Sequence, residues 1–145
     1  MSEEKNRPRV GLGVIIVNQE GMVLIGKRKN SHAPYYSIPG GHLESGETFE
    51  DGAIREIKEE TDLDIKNPEV IAITNNLKTY RNENLHYISV VLLAREFSGE
   101  LKIMELEKCA EWLWADPKNL PIPHFDASRM AIDCYLEKTF YKKFE

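Results

Sequence analysis

Between Gly40 and Leu63 the chain reads GGHLESGETFEDGAIREIKEETDL, and no other stretch restricts its folding so tightly. Paired glycines lead into a loop, and then the hydrophobic period changes. Thr48 followed by Asp51 resembles a capping box, with Asp in place of the usual Glu or Gln. Phe49, Ala53, Ile54 and Ile57 are spaced for one helical face, while Glu56, Glu59 and Glu60 fall mainly on another. The spacing predicts a helix from Thr48 to Glu60 or Thr61. On that helix the glutamates stand at i, i+3 and i+4, where like charges repel. They are therefore either a solvated acidic face or carboxylates converging on a cation. Hard divalent ions take oxygen ligands, and Mg²⁺ usually binds one or two carboxylates together with phosphates and water. Glu47, one turn earlier, is placed to join or orient such a set, and Arg55 to anchor one of its carboxylates. Pro39, Gly40 and Gly41 allow the backbone to approach closely. Taken alone, EIKEE favours the plain acidic face, because glutamate is a good helix former.

The rest of the chain sets outer limits. A length of 145 residues, 41% hydrophobic, allows one domain, 1–145, with a real core. A net charge of −5 supplies no basic field, which argues against duplex nucleic acid as a partner. A small phosphorylated ligand is compatible with that charge, since a bound metal inverts the local sign. Cys109 and Cys134 form no CxxC and build no zinc site, and two partly buried thiols fit a reduced, cytoplasmic protein. MSEEKNRPRV lacks the apolar run of a signal peptide, and no stretch is apolar for long enough to span a membrane.

Arg9 to Val17 is apolar and β-branched, NQEG is turn chemistry, and MVLIGKRK follows, which predicts an opening hairpin. NSHAPYYSIPGGH reads as loop with a short strand around Tyr36 to Ile38. Glu69 to Leu77, His86 to Phe97 and Glu111 to Ala115 read as strands. KTYRNENL between the first two reads as a polar turn in solvent. Pro117, Pro121 and Pro123 precede a final helix from about Asp126 to Phe140, with Ile132, Tyr135, Leu136 and Phe140 as its apolar stripe. The order β-β-(β)-α-β-β-β-α is an α/β layer arrangement with helices packed on a twisted sheet.

The complete spacing of Gly41, Glu47, Arg55, Glu56, Ile57, Glu59, Glu60 and Leu63 resembles the Nudix box, here residues 41–63. One position departs: Asp62 stands where the pattern has glycine. That glycine serves a left-handed helix end, a conformation Asp tolerates better than most residues. A small cost at the turn is expected, with the ligands untouched. Outside the box, LIGKRKNS, PGGHLESGE, TNN, HYISV and MELEKCAEWLW with the NLP that follows resemble the MutT-like members that clean the nucleotide pool, of the plant Nudix hydrolase 1 type.

The resemblance implies an α/β/α sandwich with a mixed sheet, and hydrolysis of a nucleoside diphosphate linked to a variable group. It makes Glu56 and Glu60 the main Mg²⁺ ligands (Mn²⁺ as a substitute), Glu59 a further ligand or water-holder, and Gly41 the source of a backbone oxygen. Glu47 would pair with Arg55 or hold a water. The base is a box glutamate such as Glu59, or one outside the box, for which Glu105 and Glu107 are the candidates; both also read as solvated loop charge. Arg28, with Lys27 beside it, would meet phosphate. Gly40 and His42 lie next to that phosphate, or His42 packs on the helix. Ile38, Thr74, Asn75, Asn76 and Phe125 would line the base pocket, although Ile38 and Phe125 read equally well as core. Such relatives are often homodimers, and Tyr87 and Trp112 would supply an apolar patch for that contact.

The leading expectation is a Mg²⁺-dependent pyrophosphohydrolase of nucleoside triphosphates, ordinary or oxidised such as 8-oxo-dGTP. One alternative keeps the chemistry and changes the group to a nucleotide sugar, a dinucleoside polyphosphate or dihydroneopterin triphosphate. The other is a nucleotide-binding module without turnover, against which the full set of box carboxylates counts.

Overall fold

A computed structural model describes residues 7–144; residues 1–6, the start of the polar N-terminal segment, and residue 145 lie outside the described residues. The central strand β1 (Arg9–Ile16) is apolar on both sides because both sides are covered. Leu12, Val14 and Ile16 join one core cluster, and Ile15 and Val17 join another. The first cluster includes Ala53 and Ile57 of α1 (Phe49–Thr61), the second Ala131 and Ile132 of α3 (Asp126–Glu137). Helices on both faces of a mixed sheet make the α/β/α sandwich expected above.

The opening hairpin does not form. β1 and β2 (Val23–Arg28) touch through a single bridge, Val17 to Val23, and then part into different sheets. β1 instead pairs in parallel with β7 (Tyr87–Ala94), which is flanked by β6 (Glu69–Asn75), and antiparallel with β4 (Gly40–His42). β2 pairs with β3 (Tyr36–Ser37) and β9 (Cys109–Ala115). Apolar residues on both faces let each strand become the centre of its own sheet, and the gap between their diverging ends is the origin of the cleft described below.

Four short elements were not anticipated. GGH, read as loop, is strand β4: a side chain at Gly40 would overlap the carbonyl of Leu12, so only glycine permits this pairing. β5 (Asp64–Lys66) and β8 (Glu96–Ser98) form a two-stranded ribbon. KTYRNENL is not a solvent turn; most of it forms α2 (Leu77–Glu83). That helix buries only Thr79, so it has no apolar period by which a sequence reading would find it. The last helix ends at Glu137, and its covered face is Ser128, Ala131, Ile132 and Cys134, with Tyr135 packed alongside. Leu136 and Phe140 are exposed and do not belong to the stripe assigned to them.

Candidate active site

α1 begins and ends as its sequence dictates. The Thr48 hydroxyl accepts the amide of Asp51 at 3.0 Å, and Asp62 closes the helix in the left-handed region at φ 67°. With its ends fixed, the helix presents Glu56, Glu59 and Glu60 to a cleft of about 540 Å³. The walls come from the diverging strands, at Gly13 and Gly26, from β4, and from the segment carrying Glu105. Glycine at 26 makes room for Trp112, whose ring would lie 2.6 Å from a Cβ there.

Arg55 organises the carboxylates. Its Nε and Nη2 donate to the two oxygens of Glu47 at 3.1 and 2.7 Å, and Nη1 donates to Glu56 at 2.9 Å. Nη2 also donates to the carbonyl of His42 at 2.9 Å, which ties the loop to the helix, and Glu59 lies 3.4 Å from Nη1. Hydrogen bonds from Arg55 hold the Glu47 carboxyl below its ordinary pKa. Glu56 goes the other way: burial raises it and outweighs the guanidinium beside it.

Glu60 is the extreme case. Burial drives its pKa up to about 8, against a single opposing contact from the Gly40 amide, at 3.2 Å to one oxygen. Glu56 and Glu105 add repulsion, and Arg28 only partly offsets it. A carboxylate this buried is costly until an opposite charge arrives. A carboxyl-and-carbonyl donor set is what Mg²⁺ or Mn²⁺ prefers, so these residues fit such an ion. A side chain at Gly41 would overlap the Glu56 carboxylate, so its backbone is free to face the same space. Among the described residues no three Asp, Glu, His or Cys side chains are grouped so as to hold a metal ion by themselves. A bound ion would need phosphates and water to complete its coordination.

Of the other residues anticipated, Arg28, Lys27, Ile38, Gly40, Gly41, His42, Asn76, Glu105 and Phe125 all border the cleft. Glu107 does not; its carbonyl accepts from Asn30, and its side chain is exposed. Thr74 is also absent from the cleft and donates its hydroxyl to Asn76 Oδ1 at 2.8 Å. Asn76 in turn donates to Ser89 at 2.8 Å, so the TNN segment is partly engaged within the fold. Asn75 accepts from His86 and turns elsewhere. His42 bonds the Tyr87 hydroxyl at 2.9 Å and stacks on its ring. Tyr87 and Trp112, expected to supply an apolar patch for a homodimer contact, border the cleft.

The structure adds a cluster with no sequence signal. His32, in the loop after β2, meets Glu83 of α2 at 2.7 Å and lies 4.9 Å, ring to ring, from Phe125. All three border the cleft, and three separate elements bring them together. Phe125 was expected there; His32 and Glu83 could be found only in the structure, because α2 itself carries no sequence signal.

The NUDIX domain family matches residues 7–132. The chain belongs to the Nudix family. It is 34% identical over 126 residues to the ADP-ribose pyrophosphatase of Methanocaldococcus jannaschii, covering 87% of this chain and 72% of that protein. It is 28% identical over 137 residues to the RNA pyrophosphohydrolase of Pelagibacter ubique, covering 83% and 85% respectively. Its fold resembles the crystal structure of a MutT NUDIX hydrolase from Burkholderia pseudomallei, with a TM-score of 0.80 and 30% identity over 88% of this chain and 97% of that one. As a MutT-like Nudix hydrolase it is an enzyme of phosphoanhydride bonds. No helix among the described residues is long and apolar enough to cross a membrane.

Proposed function

We propose that this Nudix hydrolase is a Mg²⁺-dependent pyrophosphohydrolase of nucleoside triphosphates, ordinary or oxidised such as 8-oxo-dGTP, releasing the monophosphate and pyrophosphate. The observation that carries this reading is the meeting of Glu56, Glu60, Glu105 and Arg28 with the Phe125 ring in one cleft. The acidic and basic groups suit a polyphosphate with its counter-ion, and the ring suits a base.

Glu56 and Glu60, with the backbone at Gly41, would hold the cation, and Glu59 would hold it or its water. That cation supplies neutralisation of phosphate charge and alignment for attack. Arg55 keeps Glu56 and Glu47 from turning away, through bonds that also fix the loop at His42. Arg28 would offset the charge that develops on the departing pyrophosphate. Glu105 takes the proton of the attacking water, whose oxygen bonds to phosphorus as the phosphoanhydride P–O bond breaks and its electrons leave with pyrophosphate. Glu105 is favoured over Glu107 because it alone of the two reaches the cleft.

A second reading, hydrolysis of a nucleoside diphosphate sugar, is favoured by the 34% identity to an ADP-ribose pyrophosphatase. Product analysis in ¹⁸O-water separates the two. Pyrophosphate from dGTP or 8-oxo-dGTP supports the first, and AMP with ribose 5-phosphate from ADP-ribose supports the second. No product from any of these with Mg²⁺ or Mn²⁺ overturns both. A cytoplasmic homodimer accompanies the reading through its family resemblance, and sedimentation tests the dimer.

A further inference from the structure

Asp62 occupies the position where the Nudix pattern has glycine, and its side chain is not idle. One carboxylate oxygen lies 3.4 Å from Lys58 Nζ, and the other 3.4 Å from Lys102 Nζ. These lysines, Lys102 foremost, hold its carboxyl below the ordinary value. Lys102 belongs to the segment that brings Glu105 into the cleft, and that segment lies outside every strand. It is fastened to the last turn of α1 instead. The Lys102 amide donates to the Thr61 carbonyl at 2.9 Å, and the Met104 amide donates to the Glu60 carbonyl at 3.2 Å. From the other side the Trp112 indole donates to the Lys102 carbonyl at 3.1 Å. Two backbone hydrogen bonds therefore set the register between Glu60 and Glu105, and the Asp62–Lys102 pair closes the outer end of that seam.

We propose that Asp62 is a positioning residue. Through Lys102 it holds the segment at residues 101–105 against α1, and so sets where Glu105 sits relative to Glu56 and Glu60. Glycine would make the left-handed turn at least as well but has nothing with which to reach Lys102. The departure from the pattern thus acts on the chemistry through the loop. This inference rests on the reading of Glu105 as base.

The test compares D62G and D62N, the first relaxing the turn and the second keeping its shape, each alone and combined with E105Q. Partly exposed ion pairs are weak, so kcat should fall only about two- to fivefold, with KM unchanged. Exchange of the Lys102 and Met104 amides should quicken. Neither substitution should slow E105Q further, and K102M should match D62G in kcat while adding nothing to it, because both remove the Asp62–Lys102 pair. Unchanged kcat in D62G and D62N, or an equal loss in the E105Q background, overturns the proposal. Unchanged amide exchange overturns the fastening itself. Full turnover by E105Q overturns the reading of Glu105 and the catalytic half of this inference with it, while exchange still reports the fastening.

Discussion

Two parts of the cleft are held in different ways. The glutamate part is built almost within one stretch of chain: β4, the loop at His42 to Glu47, and α1 are cross-linked by one guanidinium. The His32–Glu83–Phe125 part joins a loop, α2 and the entrance to α3, distant in sequence and tied by one side-chain hydrogen bond and one ring contact. The first part carries charge that burial makes costly, and the second carries little. Chemistry demands fixed geometry at the phosphates, whereas a base pocket needs only shape and a few partners. Changes in the first part should therefore destroy folding or turnover, and changes in the second should alter which substrate binds.

The harshest break falls at Gly40. A methyl group there overlaps the Leu12 carbonyl, so G40A must give up the β4–β1 pairing or distort the central strand. Urea unfolding should show a loss of at least about 4 kcal/mol, the range reserved for core backbone conflicts. A G40A protein of wild-type stability would mean that β4 is not fixed by this close approach.

Glu60 comes next, because there function and stability move in opposite directions. E60Q should lower kcat by at least about a hundredfold, while circular dichroism shows the fold intact. Without a divalent cation, the raised pKa of about 8 means that the folded state binds a proton which the unfolded chain releases near its ordinary value of 4.5. Stability from this group is present below pH 4.5 and is lost as pH rises through about 8. E60Q should remove that decline. At pH 7, Mg²⁺ binding to the wild type should expel the proton, seen as a calorimetric enthalpy that depends on the buffer. A buffer-independent enthalpy would place the cation away from Glu60.

The unequal legibility of the two parts follows from the same contrast. The box could be read because each of its constraints is local: a cap at Thr48, an apolar face at Ala53 and Ile57, and a left-handed end at Asp62. All three appear in the structure, although Phe49, assigned to the same apolar face, is exposed, because it stands at the first turn beyond the covered part of the helix. β4 could not be read, since GGH has no strand propensity and pairs only because glycine admits Leu12 so closely. The hairpin was misjudged because its turn is real and its strands are real, yet each finds better partners far along the chain. Glu105 was separable from Glu107 only after the 101–108 segment was seen docked against α1. Thr74 and Asn76 were placed by motif, but their hydroxyl and amide turn partly toward each other and toward Ser89.

The second part of the cleft should respond more mildly. F125A removes the ring beside His32 and should raise KM for nucleotides about tenfold while kcat stays within about threefold, given about 1–3 kcal/mol for stacking of a base on an aromatic ring. A matching loss in kcat would show that this side of the cleft also aligns the phosphates, and the distinction drawn above would fail.

The smallest effect concerns the support beneath that side. The Ile38 amide donates to the Ser128 hydroxyl at 2.9 Å, and that hydroxyl lies 2.8 Å from His124 Nε2. Nδ1 faces the Pro121 carbonyl at 3.1 Å, and because a carbonyl only accepts, Nδ1 carries the ring proton. Ser128 can then donate to Nε2 while accepting from Ile38, a chain that requires the neutral ring. Burial foremost, with Arg129 nearby, pushes the His124 pKa down to about 4. Between about 4 and the ordinary 6.5 the unfolded chain binds the extra proton and the folded one refuses it. The contribution is intact above pH 6.5 and is lost as the pH falls toward 4, opposite in direction to that of Glu60. Melting temperatures of wild type and H124Q across pH 4 to 7 should converge at the acid end. Because Ile38 and Ser128 border the cleft, KM for nucleotides should stay level across that window and rise only near pH 4, where the folded protein itself takes the proton, while kcat, after correction for the carboxylates, does not change. A parallel fall in kcat that H124Q abolishes would join the two parts of the cleft through His124.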